Sequence, residues 1–217
     1  MPKATTQLHN NIMPINDNDL SSNIQHSTSL KGVTSANAMI NHKYQVIKLG
    51  KYAKHWGEVA ANFDCMFHGE PGAGKTYFLL TFANWFAQTF GPVLFCSNEE
   101  FGTVTLQNKI IETNSNNKNL FFSKSIDGVD LNKFNLLILD SINNGKITLD
   151  DYKRLRLKYP NLAVIAIMQK NKDGSFKGGK DWEHEFEIAC ELFFNDKNKR
   201  VIRTYKNRYG VMDTVKI

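Results

Sequence analysis

The chain has 217 residues, 41% of them hydrophobic, which is enough to bury one good core and too few for a second full domain. Its net charge of +6 and pI near 9.1 suit an anionic partner such as nucleic acid, although a Lys-rich solvated surface gives the same balance. No apolar run reaches the roughly 18 residues of a membrane span, and the N-terminus lacks the apolar centre of a secretory signal, so a soluble cytoplasmic protein without a membrane partner is expected. The three cysteines, Cys65, Cys96 and Cys190, stand far apart in apolar runs, which excludes a C-x-x-C zinc module and predicts buried, reduced thiols.

In chain order, residues 1–30 are rich in Asn, Ser, Asp, Thr and Gln with scattered single hydrophobics, a composition that cannot offset the entropy of ordering. They are expected to form a flexible polar arm, and residues 31–217 the folded domain. Residues 52–62 predict a short helix carrying Trp56 near the functional site, and residues 63–68 a buried strand. A helix over 75–90, a strand over 93–97 and a helix over 102–112 continue a βαβ rhythm. Further strands are expected at 120–122 and 136–139, a helix at 149–158 and a strand at 162–168. Their near-continuous apolar runs are those of parallel strands covered on both faces. Strand-like segments at 188–194, 200–205 and 211–217, with a turn at 195–199, predict antiparallel strands at one edge. The fold class is therefore α/β, a mainly parallel central sheet flanked by helices.

The segment Gly69-Glu70-Pro71-Gly72-Ala73-Gly74-Lys75-Thr76 matches G-x-x-x-x-G-K-[ST] and lies between a predicted strand and a predicted helix. Glycines let the backbone curl until successive N–H groups point inward, making with the helix N-terminus a concave site for phosphates that extends to Tyr77. Lys75 is placed to reach the β- and γ-phosphates of ATP, and Thr76 to give its hydroxyl to Mg2+. A carboxylate at the end of a neighbouring buried strand is also needed to hold the hydrated metal, and residues 136–140 end in Asp140. A base that polarises the attacking water is the third requirement; Glu99 and Glu100 follow the strand at 93–97. Two adjacent acids before a helix also suit its positive end, and local sequence does not separate the two roles.

Together these residues resemble the RecA superfamily of P-loop ATPases, and within it the bacterial RadA branch and the DnaB-type hexameric helicases, over about residues 48–217. Val93-Leu94-Phe95-Cys96-Ser97-Asn98-Glu99-Glu100 is similar to the RadA strand that ends in Ser-Gly-Glu-Glu, and the resemblance puts Glu99 at the catalytic glutamate. Lys172-Asp173-Gly174, Gly178 and Trp182-Glu183-His184 resemble a RadA segment in order and spacing, and Lys206-Asn207-Arg208-Tyr209-Gly210 parallels Lys-Asn-Arg-Phe-Gly. The resemblance implies that Lys206 and Arg208 act in trans on a neighbour's γ-phosphate in a homo-oligomeric ring or filament. Gln169, where RadA has His, implies a γ-phosphate sensor.

The departures are the missing four-cysteine module and protease-like domain, which leave a motor core alone, and Gly179 in place of a proline. The size and the Asn/Lys-rich composition suit a phage or mobile-element protein acting in a host cytoplasm. The resemblance implies an ATP hydrolase in DNA recombination, repair or replication, with a recombinase or replication protein as a possible partner. Between Gln169 and Trp182 the sequence reads as a long loop whose Lys170, Lys172, Lys177 and Lys180 can track a phosphate backbone, with single-stranded DNA favoured. Phe176 and Trp182 are candidate stacking or anchoring aromatics. Two other readings are a nucleotide-dependent protein-interaction module of the same fold, KaiC-like and without motor activity, and a small-molecule P-loop kinase, for which no lid signature is evident.

Overall fold

The computed structural model describes residues 33–171 and 176–217. The expected polar arm at 1–30 and the Lys172-Asp173-Gly174 segment lie outside the described residues. The chain divides into residues 1–44 and 45–217. The described part of the first unit holds one short helix, α1 (Ala36–Asn41), whose Ser35 cap accepts the Ala38 N–H at 3.2 Å.

The second unit opens with β1 (Val46–Lys48), a turn of 3-10 helix (Gly50–Tyr52), α2 (Ala53–Trp56) and β2 (Glu58–Ala60), which pairs antiparallel with β1. The helix expected over 52–62 therefore ends at Trp56. Gly57 terminates it with φ of 78°, and a Cβ there would meet Val211 at 2.9 Å, so only glycine fits the turn. Trp56 is fully buried, and its Nε1–H donates to Cys190 Sγ at 3.1 Å.

The remaining elements are β3 (Asp64–Gly69), α3 (Lys75–Thr89), β4 (Val93–Ser97), α4 (Val104–Glu112), β5 (Leu120–Ser123), β6 (Leu136–Asp140), α5 (Leu149–Lys158), β7 (Ala163–Ile167), α6 (Lys180–Glu185), β8 (Ile188–Phe194), β9 (Arg200–Asn207) and β10 (Thr214–Lys216). They build one eight-stranded sheet in the order β10-β9-β8-β3-β7-β6-β4-β5. From β8 through β5 the neighbours run parallel; β9 and β10 add the expected antiparallel edge.

Alternation of side chains divides each central strand between two cores. Phe67, Phe95, Ile138 and Ile165 face the α3 side with Leu79, Phe82 and Phe86, whereas Met66, Leu94, Leu139 and Val164 face Tyr152 and Leu155 of α5 and Trp182 of α6. Covering on both faces explains the unbroken apolar runs of β6 and β7. Two sequence expectations change at α6. Lys180 is its first residue rather than part of a long loop, and Trp182 is buried, stacked with Phe186 at 6.3 Å. Among the described residues, no helix is long and apolar enough to cross a membrane.

Burial pushes His55, in α2, and His68, in β3, down from 6.5 to about 4. Both are neutral in the folded protein, so below pH 6.5 the unfolded chain binds more protons and stability is lost progressively as the pH falls toward 4. Each histidine is expected to cost on the order of 2 kcal/mol by pH 5. Urea denaturation between pH 7 and 5 checks this, and His55→Phe should flatten the acid slope; an unchanged slope would contradict the assignment.

Candidate nucleotide site

The site is assembled at the carboxyl ends of the parallel strands. β3 ends at Gly69 and passes through residues 70–74 into α3. Gly69 sits against the neighbouring strand so closely that a Cβ would lie 2.0 Å from the Leu192 carbonyl oxygen, while Gly72 and Gly74 hold φ of 76° and 99°. Thr103 caps α4 and Thr148 caps α5 through a capping box, but α3 has no side-chain cap and no acid in its first turn. Its N-terminal N–H groups are thus left for an external anion.

Lys75 Nζ donates to the carbonyls of Gly69 and Glu70, each at 2.9 Å. Burial pushes its ammonium below the usual lysine range, opposed by the nearby Asp140 and Glu70. Thr76 Oγ1 donates to Asp140 Oδ2 at 2.9 Å, so the hydroxyl of the helix and the carboxylate of β6 meet. Burial raises the Asp140 carboxyl, and the Thr76 hydrogen bond pulls it back. One hydroxyl and one carboxylate, both hard oxygen donors beside a phosphate-shaped loop, fit a magnesium ion that keeps most of its waters. Tyr77 points away from the loop, its hydroxyl donating to Glu112 of α4 at 2.5 Å.

The two acids after β4 part company. Glu100 is bound to Lys109 of α4 at 2.6 and 2.7 Å, whereas Glu99 is exposed and accepts from Gln169 Nε2 at 3.4 Å. Gln169 follows β7, and its Oε1 accepts Lys177 Nζ at 2.9 Å. Asn143, in the loop after β6, ties the array together: its Oδ1 accepts the Gln169 N–H at 2.8 Å and its Nδ2 donates to the Lys177 carbonyl at 3.1 Å.

The other predicted residues are spread more widely. Lys170 is only 13% exposed and is ion-paired with Glu70 at 3.1 Å and Glu191 at 3.0 Å, which removes it from a DNA-tracking set. Phe176 packs on His68 at 5.5 Å, so it is an anchor and not a free stacking surface. Lys177 and Lys180 are exposed. Lys206 donates to the Glu183 and His184 carbonyls at the end of α6, and the exposed Arg208 guanidinium has no hydrogen bond or ion pair among the described residues. Both lie where β9 pairs with the start of β8, at the opposite end of the sheet from Gly69.

Asn143, His68, Glu191 and Arg200 went unnoticed in the sequence. The Asn143-Asn144-Gly145 turn signal was the one available clue. Arg200 opens β9 next to Gly74, where a Cβ would come 3.3 Å from the guanidinium carbon, and with Tyr77, Thr81 and Lys51 it lines a cleft of about 520 Å³ beside the loop.

Fold and site together define a RecA-like P-loop ATPase core. No protein-family model matches the chain. It is 25% identical over 186 residues to the DNA repair protein RadA of Mycolicibacterium smegmatis, which aligns 73% of this chain with 39% of that protein. It is 27% identical over 164 residues to RadA of Chlamydia trachomatis, 65% of this chain and 36% of the relative. The chain thus spans about two fifths of the length of the curated relatives it matches. Among solved structures, the flagellar accessory protein FlaH of Methanocaldococcus jannaschii superposes with a TM-score of 0.58 at 14% identity, covering 80% of this chain and 94% of that one. The ATPase domain of a helicase gives 0.57 at 15% identity, over 92% and 93% of the two chains.

The glycine geometry makes an ordering testable. Gly69→Ala drives a Cβ into backbone and should cost roughly 2–4 kcal/mol, whereas Gly72→Ala meets nothing within 4 Å and pays about 1 kcal/mol for its φ alone. Equal losses on urea denaturation would refute this account of the loop.

Proposed function

We propose that this chain hydrolyses ATP and binds DNA as a RecA/RadA-like motor or recombination, repair or replication factor, working as an oligomeric ring or filament. One observation carries the reading: the carboxyl ends of β3, β4, β6 and β7 bring Lys75, Thr76–Asp140, Glu99 and Gln169 to one place. The similarity to RadA, a DNA repair protein by name, supports the DNA part of the reading.

In this reading the uncapped start of α3 and the loop glycines bind the phosphates, and the cleft beside Gly74 takes the nucleoside between Tyr77 and Arg200. Thr76 and Asp140 would hold magnesium, which when bound neutralises charge on the β- and γ-phosphates. Lys75 exchanges its two carbonyl partners for phosphate oxygens. Glu99 accepts the proton of the attacking water, while Gln169 senses the γ-phosphate and transmits its state through Lys177 and Asn143 to the neighbouring loops. Glu100 positions the start of α4 through Lys109. Lys206 and Arg208 serve a neighbouring subunit's phosphate, which makes turnover depend on assembly.

Lys75→Ala is expected to abolish ATP hydrolysis and weaken nucleotide binding. Glu99→Gln should retain Mg-ATP while lowering turnover by about 10² to 10⁴, and Glu100→Gln should lose far less. A stall in Glu100→Gln with near-normal turnover in Glu99→Gln would reverse the assignment of the two acids. For DNA, replacing Lys172, Lys177 and Lys180 by Ala should reduce the slope of log affinity against log salt by about 0.7 per lost single-strand contact. Anisotropy of a labelled oligonucleotide over a salt series reads this slope, and wild-type affinity and slope would clear these lysines of DNA contact.

A further inference from the structure

Directly after Gln169, Lys170 reaches in two directions. One arm of its ion-pair array is built in: Glu191 of β8 has a side chain 11% exposed and holds both Lys170, at 3.0 Å, and Arg203 of β9, at 2.5 Å. The other arm is exposed: Glu70, the second residue of the phosphate loop, has a side chain 60% exposed and meets Lys170 at 3.1 Å. Glu70 is also touched from the nucleotide side, because its main-chain carbonyl accepts Lys75 Nζ at 2.9 Å. A single residue of the phosphate loop therefore feels the lysine that binds phosphate and the lysine that follows the proposed sensor.

The segment around Lys170 is otherwise pinned to the body of the fold. Lys170 and Phe176 form an isolated antiparallel bridge, and the Lys177 N–H donates to the Gln169 carbonyl at 2.7 Å. The Phe176 ring lies on His68, one residue before Gly69. His68 Nε2 in turn shares a hydrogen bond with the Tyr205 hydroxyl at 3.0 Å, so both sides of the Lys170 array stand on strands that do not need to move.

We propose that Lys170 is a positioning residue: anchored on Glu191, it uses the exposed Glu70 carboxylate to couple the state of the phosphate loop to the segment that carries Gln169 and Lys177. The unequal arms fit this use. A buried, doubly held carboxylate makes a permanent support, and an exposed pair contributes little enough to be broken and remade when Lys75 leaves the Glu70 carbonyl for a phosphate. Lys170 belongs to the communication within one subunit, and its charge is not available to nucleic acid.

The coupling rests on the proposed nucleotide site, so the test reads both. Amide hydrogen exchange of the full chain is followed with and without a non-hydrolysable ATP analogue and magnesium, in peptides covering residues 69–76 and in those covering Gln169 and Lys177. In the wild type the analogue should slow exchange at 69–76 and change it by about fivefold around Gln169 and Lys177. Lys170→Met and Glu70→Gln should keep protection at 69–76 while losing the nucleotide-dependent change at Gln169 and Lys177, and Lys170→Arg should restore it. Glu70 is exposed, so Glu70→Gln keeps the test open if Lys170→Met does not fold. Protection at 69–76 with a wild-type response around Gln169 in both Lys170→Met and Glu70→Gln overturns the coupling and leaves the site standing. Absence of protection at 69–76 in the wild type overturns the site and, with it, the coupling.

Discussion

Strand polarity is the constraint on which the rest of this structure depends. Six strands run the same way, so their carboxyl ends share one edge of the sheet, and every crossover helix leaves from that edge. The chain leaves β3 over α3, passes two strand positions that β7 and β6 later fill, and returns as β4. A crevice at such a break in strand order is where open α/β sheets bind ligands. The separation of Gly69, Glu99, Asp140 and Gln169 over a hundred residues of sequence is thus removed by parallel pairing alone. Ser97 opposite Asp140 in the β4–β6 register is the local form of the same effect.

Close packing sets how the edge is used. β3 is buried at every position, and Gly69 passes so near Leu192 that no side chain fits. The phosphate loop must therefore start from a fixed point, and residues 70–74 then have the freedom of Gly72 and Gly74 but provide no side-chain cap for α3. An uncapped start costs an isolated helix about 1 kcal/mol relative to one with a Ser, Thr or Asp cap. Fifteen residues with six buried on one side compensate for that locally weak start. Stability supplied by the core is what leaves the helix end available for chemistry.

How much of this was legible in the sequence depends on how local each signal is. The phosphate loop, the run ending in Asp140 and the strands at 93–97 and 120–122 are contiguous patterns, and pattern suffices for them. The strap of β1 and β2 was missed because each strand has three residues and the turn between them depends on Gly57. Glu99 and Glu100 are indistinguishable neighbours until α4 folds back and brings Lys109 to Glu100. Lys170 read as one of four loop cations because its partners, Glu70 and Glu191, become neighbours only through the order β8-β3-β7. Long-range charge pairing of that kind has no period and no motif. The same sequence distance hid Asn143, which joins the loops after β6 and β7.

The antiparallel edge adds a geometric argument about assembly. β9 runs back along β8, so Asn207 stands opposite Ile188, at the amino-terminal end of the parallel strands. Cys65 to Gly69, the stretch of β3 that pairs with β8, spans roughly 13 Å at 3.3 Å per residue. Arg208 therefore starts at least that far from the phosphate loop of its own subunit, on the wrong end of the sheet. Lys206 is further committed to the carboxyl end of α6, where a cation suits the helix dipole. If the pair contributes charge to a transferring phosphate, as the proposed function requires, the phosphate belongs to a neighbour. Head-to-tail contact between the two ends of the sheet then generates a ring where the rotation closes and a filament where it does not.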